Sequence, residues 1–193
     1  MNQEMKINSD LYRYYGNISR KSFYQNLILN SGFRFSFYLR KCQDKRQGKK
    51  VALLINLFWR FLKSRMESKY HIHISPETKI GYGLYIGYGE MVTITPLATI
   101  GNNLNMNHGA VIGSTYRGKR EGAPTIGNNV WIGTHAVVVG KIIIGDNVLI
   151  APLTHVNFDV PDNAVVAGNP GKIISFSGTE GYVNNKWNID IKI

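Results

Sequence analysis

The sequence has few of the features that mark secreted or membrane-spanning proteins. It contains a single cysteine, Cys42, among 193 residues, which excludes a disulfide framework and favours a reducing compartment. No basic, apolar and small-residue signal peptide opens the chain. The longest apolar run, Val51 to Leu62, is interrupted by Asn56 and Arg60, and it is too short for a bilayer span of about 20 residues. We therefore expect a cytoplasmic protein.

Acidic residues are also scarce, and their scarcity is local. The chain has 12 Asp and Glu against 23 Lys and Arg, a net charge of +11. Residues 1–70 carry 15 basic and four acidic side chains, whereas residues 71–193 carry eight of each. The excess positive charge therefore belongs to an N-terminal arm. We find no nucleic-acid-binding motif and no zinc-ligand spacing among the five histidines, so we expect no nucleic acid partner and no metal.

The middle of the chain repeats itself every six residues. A branched aliphatic residue, or methionine once, recurs at this step in three runs, and glycine often follows it. The repeated residues are Ile74, Ile80, Ile86, Val92, Ile94, Ile100, Met106, Ile112, Ile126, Ile132, Val138, Ile144, Ile150 and Val156. A fixed short period indicates a repeat architecture. Six residues fit neither an amphipathic helix nor a lone strand.

A short strand followed by one sharp corner explains this period. The aliphatic residue points inward, and the glycine or a small polar residue is expected to make the bend, where a positive φ is cheapest for glycine. Three such units close a triangular turn of about eighteen residues, and stacked turns pair as parallel strands. The predicted fold class is therefore mainly β, a parallel β-helix of about five turns with an N-terminal α-helical hairpin.

The predicted domain organisation has three parts. Residues 1–70 form a basic helical region, residues 71–174 the repeat domain, and residues 175–193 a C-terminal capping tail. Within the first part we expect a lead-in over 1–17, helices over 19–42 and 49–69, and a loop from Asp44 to Lys50. The apolar face of this hairpin either packs on the β-helix or a sister subunit, or lies on an anionic membrane surface.

One segment replaces a repeat unit. The stretch from Ser114 to Thr125 is polar and contains Arg117, and we expect it to form a mobile loop. A long polar excursion from the corner of a rigid coil is a typical place for binding residues. Arg117 is therefore a candidate substrate-binding residue.

The stretch NVWIGTHAVVVGKIIIGDNVLIAPLTHVNFDVPDNAVVAGNPGKII, residues 129–174, resembles the hexapeptide-repeat acyltransferases. It is similar to serine acetyltransferases and to capsule or exopolysaccharide O-acetyltransferases, and the likeness covers about residues 72–174. The resemblance implies a left-handed coil, a homotrimer and acetyl-CoA as acyl donor in a groove between subunits. The positions that it implies for the donor are Gly133, Thr134, Ala151, Pro152, Ala167, Gly168, Asn169, Pro170 and Lys172.

The sequence departs from serine acetyltransferases at the base that removes the proton. The Asp-His pair of that family falls on Gly87 and Tyr88 here, and a second family histidine falls on Ala123. The length of one turn suggests a replacement base. Ile86 and Met106 are one turn apart, and Tyr88 and His108 each follow one of them by two residues, so both should lie at one corner. An imidazole is suited to remove a hydroxyl proton at neutral pH.

These residues lead to a functional hypothesis with alternatives. We predict an acetyl-CoA-dependent O-acetyltransferase of a sugar or glycan hydroxyl, with an acceptor that could be lipid-linked and peripheral contact with the inner membrane face through residues 1–70. His108 and Tyr88 are the catalytic candidates, and Asn105 and Asn107 join Arg117 as substrate candidates. Acetylation of serine or another small molecule, and a non-catalytic trimeric scaffold, stay open as alternatives.

Overall fold

The computed structural model describes residues 3–43 and 50–188, and the side chains of 50–52 lie outside that description. Its described part contains four helices followed by fifteen short strands. The helices are α1 (Gln3–Tyr15), α2 (Arg20–Leu29), α3 (Ser31–Gln43) and α4 (Lys50–Tyr70). The strands are β1 (His73–Ile74), β2 (Lys79–Ile80), β3 (Tyr85–Ile86), β4 (Thr93–Ile94), β5 (Thr99–Ile100), β6 (Asn105–Met106), β7 (Val111–Gly113), β8 (Thr125–Ile126), β9 (Trp131–Ile132), β10 (Val137–Val139), β11 (Ile143–Ile144), β12 (Leu149–Ile150), β13 (His155–Val156), β14 (Val165–Ala167) and β15 (Lys172–Ser175).

Every third strand belongs to the same sheet, so the chain winds as a three-sided coil. Sheet A has the order β1-β4-β7-β10-β13, sheet B has β11-β8-β5-β2, and sheet C has β15-β14-β12-β9-β6-β3. All pairings are parallel except that of β14 with β15. The five strands of sheet A confirm a parallel coil of about five turns. Its left hand stays a prediction from the resemblance.

The repeated aliphatic residues form the core, as the six-residue period predicts. Each of them is at most 4% exposed. Those of one sheet stack directly, as in the series Ile86, Met106, Ile132, Ile150 and Val166 of sheet C. Each turn thus buries its side chains against the turns above and below, which is the packing that stabilises repeat proteins.

Small polar residues, one of the two possibilities that the sequence leaves open, make the bend at one corner of the coil, and the repeat glycines serve another purpose. At the corner from sheet B to sheet C, four asparagines have a positive φ: Asn103, Asn129, Asn147 and Asn163. The glycines that follow the sheet B strands do not have a positive φ; they are Gly81, Gly101, Gly127 and Gly145. Asparagine tolerates the left-handed conformation better than most residues. A side chain at these glycines would meet the next turn, as at Gly101, where a Cβ would lie 2.6 Å from the carbonyl oxygen of Gly127. Close stacking of turns is therefore what requires glycine.

The N-terminal region is more helical than the predicted hairpin. The lead-in is a helix of 13 residues, α1, and the helix predicted over 19–42 is broken at Asn30. Asn30 has extended backbone angles, and its side chain accepts a hydrogen bond from the Phe33 N–H at 3.1 Å, so it caps α3. Gly32 lets α3 approach the coil, because a Cβ there would lie 2.2 Å from the carbonyl oxygen of Ile86. The loop predicted at 44–50 falls almost wholly outside the described residues.

A buried ion pair joins the helices to the first turn of the coil. Asp10 of α1 accepts hydrogen bonds from Arg40 of α3 at 2.9 and 3.1 Å and from the Leu84 N–H at 2.8 Å. Arg40 also donates to the carbonyl oxygens of Ile80 and Gly81 at 3.2 and 2.7 Å. Both side chains of the pair are fully buried. The helices and the coil also share one apolar core through Phe35, Leu39 and Met66; the domain boundaries at residues 70 and 174 stay predictions.

The C-terminal tail does more than cap the last turn. After β15 it runs back along the coil, where the Gly178 N–H donates to the carbonyl oxygen of Asn163 at 2.9 Å and the Trp187 N–H donates to Asn103 at 2.9 Å. The Trp187 ring then packs edge-on against Tyr12 of α1. The tail therefore connects the last turn of the coil to the N-terminal helix.

Helix α4 carries a group of exposed apolar side chains. Its five side chains Leu53, Leu54, Leu57, Phe58 and Phe61 are between 53% and 66% exposed. No helix in the described ranges 3–43 and 50–188 is long and apolar enough to cross a membrane.

Replacing Asp10 by alanine should destabilise the protein strongly. The substitution leaves the Arg40 guanidinium buried without its carboxylate, which costs about 3–5 kcal/mol. The free energy of unfolding from urea denaturation measures the effect. Glu77→Ala is the matched control, since it removes the exposed partner of Arg60 and should cost at most about 1 kcal/mol. Equal losses in the two variants would contradict the central role of the buried pair.

Candidate active site

Most of the predicted site residues lie on one edge of the coil. We call it the C–A edge: the corners through which the chain passes from sheet C to sheet A. The registers of sheet C place Tyr88, His108, Thr134, Pro152 and Gly168 at equivalent positions in five consecutive turns. The strand register agrees with the predicted placement of Tyr88 and His108 in neighbouring turns, and the stacking of their side chains stays a prediction.

A column of small residues runs beside this series. The positions that directly follow the inward aliphatic residues of the last three turns are Gly133, Ala151 and Ala167. Gly133 is buried, and the two alanines are partly exposed. Beyond them the chain turns outward through Gly168, which has a φ of 96°, and Asn169, Pro170 and Lys172 are exposed. The predicted donor positions thus form one continuous strip along the C–A edge.

His108 has a neighbour that sequence spacing did not suggest. Its ring packs edge-on against that of His135 with 5.2 Å between the ring centroids, and the His135 N–H donates to the carbonyl oxygen of His108 at 2.9 Å. His135 has a φ of 56°, so the corner turns its side chain towards the preceding turn. The C–A edge therefore carries two imidazoles in contact.

Tyr88 is the more exposed of the two predicted catalytic residues. Its side chain is 80% exposed and its φ is 60°. It lines a cleft of about 470 Å³ on the outer face of sheet C, whereas His108 does not contribute to that lining. Asn105 and Asn107 line the same cleft and are held in place: the Asn107 amide donates to the carbonyl oxygen of Ile132 at 2.9 Å.

Several residues of this cleft escaped the sequence analysis. Helix α1 contributes Arg13 and Tyr14, and strands β3 and β9 contribute Tyr85 and Trp131. The tail contributes Tyr182, Asn184 and Asn185. Burial raises the pKa of Tyr14 and of Tyr85, so both phenols stay protonated at neutral pH. No local motif marks these residues, because only the return of the tail towards α1 brings them together.

Arg117 is the substrate candidate that the fold places away from this cleft. It lies in the excursion after β7, at the next corner from sheet A to sheet B, and it does not line the cleft. The excursion is not a free loop. Thr115 and Gly122 exchange two backbone hydrogen bonds of 2.9 Å, and the Lys141 N–H donates to the carbonyl oxygen of Arg120 at 2.9 Å. These bonds make the excursion a small anchored hairpin, and the predicted mobility of this loop stays a prediction.

Within the part of the chain that the structure describes, no cluster of histidine, cysteine and acidic side chains could hold a metal ion. The chemistry of the C–A edge is that of imidazoles, amides, phenols and small side chains. Such groups can accept a proton from a hydroxyl and hold an extended ligand along the strip.

Comparison with known proteins agrees with this arrangement. Residues 123–157 match the family described as bacterial transferase hexapeptide, six repeats. The hexapeptide-repeat prediction is confirmed. This protein is 34% identical over 131 residues to serine acetyltransferase 4 of Arabidopsis thaliana, and the match covers 68% of this chain and 35% of that protein. It is 39% identical over 106 residues to serine acetyltransferase of Helicobacter pylori, covering 54% and 61%.

Solved structures give the same likeness over more of the chain. A crystal structure of serine acetyltransferase from Neisseria gonorrhoeae in complex with serine has a TM-score of 0.72 and 27% identity, covering 90% of this hexapeptide-repeat chain and 69% of that one. The chain spans between about a third and three fifths of the length of the two curated relatives. These relatives support the serine acetyltransferase part of the resemblance and give no support to its capsule part.

Replacing Gly133 by alanine should destabilise the coil. A Cβ at this position would lie 2.6 Å from the Pro152 nitrogen and 2.8 Å from the Ala151 carbonyl carbon, and backbone atoms of a stacked turn cannot move aside. We expect a loss of about 1–3 kcal/mol in the free energy of unfolding. Gly113→Ala is the control, since its nearest neighbour is a side-chain methyl of Val139 at 3.0 Å. A smaller loss for Gly133→Ala than for Gly113→Ala would show that the close approach is unimportant.

Proposed function

We propose that this protein is an acetyl-CoA-dependent O-acetyltransferase that acts on the hydroxyl of a small molecule. The observation that carries the proposal is the alignment along the C–A edge of two imidazoles with a strip of small and exposed residues. The likeness to serine acetyltransferases supports both the reaction and the donor. L-serine is therefore the first acceptor to test.

The strip suits an extended thioester donor. Gly133, Ala151 and Ala167 project little from the coil, so a narrow chain fits along them. The exposed Lys172 at the end of the strip supplies a positive charge for phosphate groups. Thr134, Pro152, Gly168, Asn169 and Pro170 complete the proposed contact. By resemblance, the groove is closed by a neighbouring subunit of a left-handed homotrimer.

His108 is the proposed general base. Its imidazole takes the proton of the acceptor hydroxyl while the hydroxyl oxygen attacks the thioester carbonyl carbon. The carbon–sulfur bond then breaks, the acetyl group stays on the acceptor oxygen, and the proton passes to the departing thiolate. The neighbouring His135 ring positions His108 by edge-on contact. Tyr88 and Asn107 line the adjacent cleft and are proposed to orient the acceptor; Arg117 would reach an acceptor only from a neighbouring subunit.

A sugar hydroxyl is the second candidate acceptor. The aromatic walls of the cleft, which include Tyr85, Tyr88 and Trp131, suit the apolar face of a sugar ring. The replacement of the family Asp-His pair by Gly87 and Tyr88 also separates this chain from serine acetyltransferases. A sugar acceptor could be free or lipid-linked.

The variant His108→Ala should reduce kcat/KM for acetyl transfer by about 10²–10⁴ because it removes the base. Release of the CoA thiol, measured with L-serine and with sugars as separate acceptors, reports the rate. His73→Ala serves as the control, since His73 is an exposed histidine on the first turn and should leave the rate unchanged. Transfer at the wild-type rate by His108→Ala would remove the imidazole from the mechanism.

A non-catalytic scaffold remains the competing explanation, and a thermal titration separates it from an enzyme. A ligand that binds only the folded state raises the midpoint of unfolding, by about 2.7 kcal/mol of stabilisation at 100 times its Kd. CoA should therefore raise the midpoint of the wild type and raise that of Lys172→Ala less. No shift at millimolar CoA would favour the scaffold.

We further propose that the apolar face of α4 lies on an anionic membrane surface. The face consists of Leu53, Leu54, Leu57, Phe58 and Phe61, all exposed. It belongs to the part of the chain with 15 basic and four acidic residues, and basic segments are attracted to anionic lipids by about 1 kcal/mol per residue near the surface. Such a contact would bring the enzyme to lipid-linked acceptors at the inner face of the membrane.

Cosedimentation with lipid vesicles tests this contact. The wild type should bind vesicles of phosphatidylglycerol and phosphatidylcholine more than vesicles of phosphatidylcholine alone. The double substitution Leu57→Glu and Phe61→Glu should abolish binding, whereas Tyr116→Glu, at an exposed tyrosine of the excursion, should not. If the double variant instead loses its oligomeric state in sedimentation analysis and the wild type ignores vesicles, the face packs on a sister subunit.

A further inference from the structure

The cleft on sheet C contains a buried cation that forms no ion pair with an acidic side chain in residues 3–43 and 50–188. Arg13 of α1 lines it and is only 3% exposed. Its two terminal nitrogens donate to the carbonyl oxygen of Asn184 and to the side-chain oxygen of Asn105. Its third nitrogen, Nε, is buried and has no hydrogen-bond partner. The guanidinium is therefore only partly satisfied by the protein.

No carboxylate in the described part of the chain contacts Arg13, although the charge of Asp10 favours the cation from a distance. The acid on the same helix is Asp10, whose oxygens accept hydrogen bonds from Arg40 and from the Leu84 N–H. Burial lowers the pKa of Arg13 to about 10, so the side chain is still cationic at neutral pH. A buried charge without a partner is costly to keep, and a guanidinium with free N–H groups is a donor for carboxylate or phosphate oxygens.

The rest of the cleft suits a ring that bears such a group. The aromatic side chains of Tyr85, Tyr88, Trp131 and Tyr182 line it, and the Trp131 and Tyr182 rings pack edge-on with 5.1 Å between their centroids. Asn105 and Asn107 add side-chain amides, which are bonded to protein groups and retain capacity for a further hydrogen bond to a hydroxyl group. None of the described lining residues is acidic, so the cleft offers no counter-charge for an ammonium group. Its volume of about 470 Å³ is that of a small-molecule site.

We propose that this cleft binds the acceptor through an oxyanion, a carboxylate or a phosphate carried on a sugar-sized ring, which pairs with Arg13. The inference rests on the proposed function in that it takes the bound molecule to be the acceptor, and it favours the second candidate acceptor, a sugar, over L-serine. The cleft adjoins the C–A edge through Tyr88, so a ring anchored at Arg13 turns a hydroxyl towards the donor strip. Arg13 acts in this scheme as a specificity-determining residue.

Binding of matched ring compounds to the full chain tests the proposal without catalysis. The probes are methyl β-D-glucuronide, methyl β-D-glucoside with the same ring and no charge, and glucose 6-phosphate as the phosphate arm. Ligand-observed NMR titration gives the Kd of each. One of the two anionic probes should bind about 10–100-fold more tightly than the glucoside, the range expected for a hydrogen bond to a charged group. Equal binding of all three would overturn the proposal.

Two variants locate the effect. Arg13→Gln keeps hydrogen-bond donors but removes the charge, and it should abolish the preference for the anionic probe while leaving glucoside binding within about twofold. Lys186→Gln removes an exposed cation of the tail and should preserve the preference. Equal effects of the two variants would assign the preference to the general positive charge of the protein and overturn the site. If Arg13→Gln fails to fold, the wild-type comparison of charged and neutral probes still decides.

The outcomes of this test and of the acetyl-transfer assay are distinguishable. Acetyl transfer to neutral acceptors, with no preference for anionic probes, would overturn the site and leave the enzyme intact. Preference for an anionic probe without any transfer would support the site and remove the assignment of its ligand as acceptor. Where both hold, Arg13→Gln should raise KM for the anionic acceptor with little change in kcat, which a merely structural role would not produce.

Discussion

The buried pair of Asp10 and Arg40 fixes helices α1 and α3 against the first turn of the coil. It joins α1 and α3, and through Leu84, Ile80 and Gly81 it joins both helices to the first turn of the coil. A charge pair of this kind tolerates little displacement, because each group would otherwise be buried without a partner. The position of α1 in turn determines where Arg13 meets the face of sheet C.

The second constraint is that successive turns of the coil have the same geometry. This repetition explains how a coil of short strands can bring the residues of one site together. Residues far apart in the chain, such as His108 and Gly168, come to one edge because every turn returns to the same corner. Insertions change only the loops and leave the register of the strands intact, as the excursion after β7 does. The requirement for glycine at the close approaches follows from the same stacking.

The candidate site draws on two parts of the chain. The strip of small residues belongs to the repeat. The cleft is different in origin, since Arg13 and Tyr182 lie outside the repeat and meet only because the tail returns to α1. The strip therefore depends on the regular stacking of the turns, whereas the cleft depends on how α1 and the tail pack on the coil.

The sequence alone determined the coil, its core and the edge on which Tyr88, His108 and Gly133 lie, because a six-residue period translates directly into position around a regular turn. It did not predict the break at Asn30, since a capping side chain competes with helix continuation only in a local geometry that periodicity does not report. It also missed the contact of His108 with His135 and the cleft around Arg13. Those depend on the left-handed corner at His135 and on the packing of two distant segments, and only the tertiary structure decides such contacts, because no short-range pattern encodes which surfaces meet.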